Sequence, residues 1–160
     1  MKLKTRKPRK MKNKSIKKHP KKMKKNGTSN REKSHIVRVM LEMLNVVKLY
    51  HWKTRSYSQH KATDELYGRL NENIDRFVEV LLGKDGSRID MIEKNIYLKD
   101  YSETSDFKQK IYEYREFLKD LSIHFNDRND SDLLSIRDDI LADINQFLYL
   151  MTFSGGRYIM

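Results

Sequence analysis

The chain has 160 residues, 38% of them hydrophobic and 10% aromatic, enough for one domain with its own core, and it has no cysteine, which excludes disulfides, thiolate metal sites and cysteine nucleophiles. Its net charge of +12 is unevenly placed: Met1 to Lys33 hold 16 of the 34 Lys and Arg but one of the 22 acids, so this stretch is about +15 and the remainder about −3. No apolar run approaches the length of a membrane span, and no apolar segment follows the basic N-terminus as it would in a signal peptide. A soluble, intracellular protein is therefore expected, whether cytoplasmic, nucleoid- or virion-associated, or nuclear, with no membrane partner.

Residues 1–30 are Lys, Arg, Asn and Ser with both prolines of the chain and few apolar residues. Such a segment cannot bury enough surface to offset its ordering entropy, which predicts a disordered arm ahead of a folded domain over residues 31–160. The bases of the arm are Lys2, Lys4, Arg6, Lys7, Arg9, Lys10, Lys12, Lys14, Lys17, Lys18, Lys21, Lys22, Lys24 and Lys25. They point to a phosphate-rich polymer, because each phosphate contact releases condensed counterions without reading sequence. Double-stranded DNA bound non-specifically is the expected partner. The absence of aromatics from Met1 to Lys33 argues against stacking on single strands.

Ser29-Asn30-Arg31-Glu32 has the form of a capping box and predicts a helix from about Arg31 to Thr54, with Val37, Met40, Leu44, Val47 and His51 on its apolar stripe. After a short turn with Ser58 as candidate cap, a second helix reaches Leu82 and stops at Gly83, its core stripe being Thr63, Leu66, Leu70, Ile74, Phe77 and Leu81. Lys84 to Ser102 is too long for a simple hairpin and predicts a crossover containing a short extra helix. A third helix is expected from about Ser105 to Phe125, on Phe107, Ile111, Tyr114, Leu118, Leu121 and Phe125. A fourth is expected from about Ser131 to Phe153, on Leu133, Ile140, Ile144, Phe147 and Met151. Short first and last links around a long middle one describe an all-α, ferritin-like four-helix bundle.

The second helix carries another stripe, in which His60, Asp64, Asn71, Asp75 and Glu79 fall on one side with Val78 and Leu82 among them. His60 with Asp64, and Asp75 with Glu79, occupy adjacent turns, and each pair could chelate a cation. Eleven residues of helix keep Asp64 roughly 16 Å from Asp75, beyond the reach of one metal within one chain. Antiparallel pairing with a second copy across a twofold axis would bring the halves together as two equivalent sites. His51 adds an imidazole beside His60. Carboxylates and imidazoles without thiolate suit iron(II), and also zinc or manganese. Glu32-Lys-Ser-His35 fits the Glu-x-x-His unit of intra-bundle di-iron proteins, but it occurs once, at a helix start, and reads as a cap with surface charge.

His51-Trp52, then His60-Lys-Ala-Thr-Asp64, then Asp75-Arg-Phe-Val-Glu79 resembles the ferroxidase signature of the Dps mini-ferritins, the DNA-binding proteins of starved cells. The resemblance implies a dodecameric shell that oxidises iron(II), preferably with peroxide. Its metal sites would take His51, His60 and Asp64 from one subunit and Asp75 and Glu79 from the partner. It also implies DNA binding through lysine-rich arms. His51 and His60 stand nine residues apart, closer than the corresponding pair in that family, and Lys53 to Gln59 has no Gly-Pro-aromatic turn. The chain is also similar to small ferritin-like proteins of large DNA viruses, for which no activity is implied. An architectural nucleic-acid-packaging protein on the same fold, without ferroxidase activity, is the alternative expectation.

Overall fold

The computed structural model describes residues 27–155. The arm predicted over residues 1–30, with all fourteen of its named bases, falls outside the described residues except for its last four positions. Among the described residues the chain is all-α, with helices α1 (Asn30–Lys53), α2 (Tyr57–Gly83), α3 (Thr104–Asp120) and α4 (Ser131–Leu150). Single 3-10 turns at Leu121–Ile123 and Met151–Gly155 extend α3 and α4. None of these helices is long and apolar enough to cross a membrane.

The first two helices start where a serine side chain satisfies a free amide. Ser29 and Glu32 close the capping box, the hydroxyl accepting from the Glu32 amide and the carboxylate accepting from the Ser29 amide at 2.7 Å. α2 is capped by Ser56, whose hydroxyl accepts from the Gln59 amide, and not by the expected Ser58, which lies inside the helix. Ser56 stands three residues before that amide, the spacing a side-chain cap needs.

The direction of each helix follows from its cross-links. α2 runs back against α1. The segment 84–103 then travels the length of α1: Lys33 holds Asp85, the Asn30 side chain donates to the Asp90 carbonyl, Arg38 meets Glu93, and Lys53 meets Asp100 and Ser102. α3 consequently starts beside the end of α1 and finishes beside its start, where His124 lies 3.4 Å from Glu32. α4 begins next to Lys84, which contacts Asp130 and Asp132, and returns along α2 through Arg76–Asp139 and Arg69–Asp143. Every pair of neighbouring helices is antiparallel, whereas α2 and α3 run parallel.

The crossover holds no helix, contrary to the expectation of a short one there. Its polar backbone is committed elsewhere, since the Ile92 amide donates to Ser34 and the Asp90 carbonyl accepts from Asn30. An isolated turn or two of helix would also carry the full cost of nucleation without a buried face. Ile92 and Tyr97 are indeed exposed. Asp85-Gly86 makes the expected turn, with Gly86 at φ 68°, a conformation that favours glycine.

The core stripes expected of α2, α3 and α4 are all buried. In α1 the buried face is wider than expected: Ile36, Met43, Val46 and Tyr50 join it, and Leu44 is only half-buried. For Tyr50 the reason lies in α3, whose Phe107 stacks on it with centroids 3.8 Å apart and meets Phe147 edge-on at 6.0 Å, tying α1, α3 and α4 together.

Phe107→Ala should cost about 3–5 kcal/mol of unfolding free energy and Ser29→Ala about 1 kcal/mol, both read from denaturant midpoints. A second expectation concerns acid. Hydrogen bonds from the Lys33 ammonium and then from Ser87 hold the Asp85 carboxyl well below its ordinary value of 3.8. A depressed folded pKa contributes stability above 3.8 that is lost as the pH falls through the titration. Asp85→Asn should therefore flatten the decline of the urea midpoint below about pH 4, where the parent protein steepens.

Candidate metal site

The joint between α1 and α2 is built by its two histidines. His51 is buried in the last turn of α1, and His60 is half-buried in the first turn of α2. Nδ1 of His51 lies 3.0 Å from the His60 carbonyl oxygen, and Nδ1 of His60 lies 3.0 Å from the His51 carbonyl oxygen. A carbonyl can only accept, so both Nδ1 atoms carry the proton and, in the neutral rings, both Nε2 atoms keep a lone pair. The rings stack with centroids 3.9 Å apart and planes 23° from parallel. Metal-ligating histidines are commonly held this way, with one nitrogen fixed on a backbone carbonyl and the other offered outward. The nine-residue spacing, short as it is, brings the two rings together.

Tyr50, Thr54, Gln59 and Thr63 hold this joint, and sequence reading gave none of them that role. Tyr50 donates to Gln59 at 2.7 Å and contacts Thr104 at 2.9 Å, and Thr54 donates to the same Gln59 oxygen at 2.8 Å. Thr63, fully buried, lies within reach of the Gln59 and His60 carbonyls and 3.3 Å from His51 Nδ1. Thr63 was legible only as a core position. Tyr50 and Gln59 carried no signal, because their partners come from different helices.

Asp64 stands one turn beyond His60. Its Oδ1 is 3.8 Å from His51 Nε2, too far for a hydrogen bond, and 3.9 Å from the Lys48 ammonium, which also lies 4.5 Å above the Tyr67 ring. His51, His60 and Asp64 thus share one end of the α1/α2 face. Asp75 and Glu79 lie exposed farther along the same side of α2, about 16 Å from Asp64 by helical rise. Val78 and Leu82 beside them are half-buried. Among the described residues no group of three or more His, Asp and Glu stands close enough to hold a metal ion within one chain. The five residues therefore form two partial ligand sets on one face, the first with imidazoles and a carboxylate, the second with two carboxylates. Glu32 of the Glu-x-x-His unit is engaged by Ser29 and His124, as a cap residue should be.

An antiparallel helical bundle with one buried and one half-buried imidazole at a helix joint and carboxylates along the neighbouring helix face is the class of protein defined by this fold and site. The chain belongs to a family of unknown function, DUF5856, whose model matches residues 51–151 and so spans all five candidate ligands. Comparison with curated proteins and with solved structures returned no match.

The carbonyl contacts set an expectation for spectroscopy. Long-range nitrogen–proton NMR of the two imidazoles at neutral pH should find both in the Nδ1–H tautomer, and a ring found as Nε2–H would contradict the reciprocal clamp.

Proposed function

We propose that the chain is a ferritin-like subunit of Dps type, which binds and oxidises iron(II) between two copies and holds DNA non-specifically through its basic arm. The observation that carries the reading is the pair of clamped imidazoles, whose Nε2 atoms stand outside the carbonyl clamp, that of His51 3.8 Å from Asp64. The parallel α2 and α3 joined by a crossover along α1 supports a ferritin-like path of the chain. Asp75 and Glu79, exposed and out of reach of Asp64 in their own chain, are suited to complete the partner's site in a symmetric pair, and a dodecamer of such pairs is the assembly the reading favours.

Iron(II) is the substrate here; zinc and manganese suit the same donors and would compete. Two iron(II) ions held together give one electron each to peroxide, which takes up two protons and leaves as two waters, so hydroxyl radical is not released. The role of this chain is to hold the ions by imidazole and carboxylate and to fix the imidazoles through the carbonyl clamp. For the arm, Lys2 to Lys25 supply the phosphate contacts and their salt dependence.

Lys48 favours a second reading. Its ammonium already lies beside Asp64 and offsets the carboxylate charge without a metal. On that reading the protein packages nucleic acid and the ligand sets are inactive.

Stopped-flow oxidation of iron(II) by peroxide separates the two. Saturable oxidation is expected, slowed at least about tenfold by His51→Ala, Asp75→Ala or Glu79→Ala, with DNA retention unchanged. An absence of saturable oxidation, with DNA still bound, would leave packaging as the function.

A further inference from the structure

Two hollows lie side by side at the pole of the bundle where α1 begins. The first, of about 840 Å³, opens between the start of α1, the crossover and the end of α3. Of the residues lining it, Ile36 and Leu121 are buried, whereas Ile92 and Ile123 are 57% and 80% exposed. Its carboxylates are Glu32, Glu93 and Asp120, and Arg31 is the one guanidinium beside them. Exposed isoleucines among carboxylates suit an occupant that is apolar at its centre and cationic around it.

The chain itself brings such a segment to this place. Gly27 and Thr28 line the second hollow, which shares Glu32, Ile123 and His124 with the first. Residues 21–25, just before them, read Lys-Lys-Met-Lys-Lys. Lys21 to Gly27 spans at most about 20 Å even when extended, so these five residues stay near the hollow wherever the rest of the arm goes. A tether of that length acts as a local concentration in roughly the millimolar range, which a separate partner would have to exceed. Nucleic acid does not suit the hollow, because its phosphates would meet the three carboxylates. Glu32 and Glu93 are partly offset by His124 and Arg38, while Asp120 makes no ion pair among the described residues.

We infer that residues 21–25 dock in the first hollow of their own chain, Met23 against its exposed isoleucines and the flanking lysines against Glu93 and Asp120, and that DNA must displace them to use those lysines. The contact itself needs neither metal nor nucleic acid. Its regulatory consequence rests on the DNA binding of the proposed function. Ordering five residues costs conformational entropy, which leaves the docked segment able to give way to a phosphate polymer.

Carbodiimide coupling, which joins a carboxylate directly to an amine in contact with it, tests the inference on the full chain. Isotopically labelled and unlabelled protein are mixed, so that bonds within one chain are told from bonds between chains. Mass spectrometry should find Lys21, Lys22, Lys24 or Lys25 joined within a chain to Glu93 or Asp120, at least about threefold over the exposed Asp75, Glu79 and Asp106. Saturating duplex DNA should reduce those products at least about threefold, and Met23→Asp should do so without DNA. Glu93→Gln with Asp120→Asn should tighten DNA binding at least about threefold more than Glu72→Gln with Asp106→Asn, which removes the same charge elsewhere. Products spread evenly over the surface acids, formed between chains, or undiminished by DNA or by Met23→Asp overturn the inference. Preferential products in a chain that binds no DNA would leave the docking intact and sink the DNA reading, whereas DNA binding with evenly spread products would do the reverse.

Discussion

Two imidazoles that each donate to the other's backbone carbonyl hold the end of α1 against the start of α2. The carbonyl of His51 is among the last four of its helix, which have no partner inside it, and the His60 ring supplies one. The same contact fixes the tautomer of both rings and turns both Nε2 atoms away from the backbone. Helix termination, interhelix packing and the presentation of possible ligands therefore rest on one pair of side chains nine residues apart.

Around that joint the structure separates polar work by face. The Tyr50, Gln59 and Thr104 cluster lies on the inner side and links the ends of three elements. On the flank toward α4, Arg69 and Arg76 are occupied with Asp143 and Asp139. Toward α3, Glu42 is held by Lys110 and Tyr114, and burial first, then the Glu42 charge, pushes the Tyr114 hydroxyl far above its ordinary range. Among the described residues, the α2 face bearing Asp75 and Glu79 makes no such commitment. Charges engaged elsewhere and free here give that face its functional interest.

The crossover is the other feature with consequences. It passes along α1 as an extended chain, tied by side chains of α1 to its backbone and to its acids. Because it returns the chain to the end where α1 finishes, α3 must run parallel to α2, and every neighbouring pair of helices is antiparallel. A tight link at Gly83 would instead have reversed α3 and α4.

Periodicity was enough to define four helices and the central core stripes of α2, α3 and α4, because an apolar stripe at helical spacing has few alternatives to burial, whereas it gave only part of the buried face of α1. Capping chemistry placed the start of α1 at Ser29, and residue type with spacing picked out His51, His60, Asp64, Asp75 and Glu79 as a set. Only the tertiary structure decided that Tyr50 is core, since Phe107 comes from another helix, and that the crossover is extended, since its backbone partners are side chains of α1. Only the tertiary structure likewise brought the two histidine rings into contact while leaving Asp75 and Glu79 apart from them. Spacing along a chain gives distances within one helix, but what lies across a turn depends on how two helices meet.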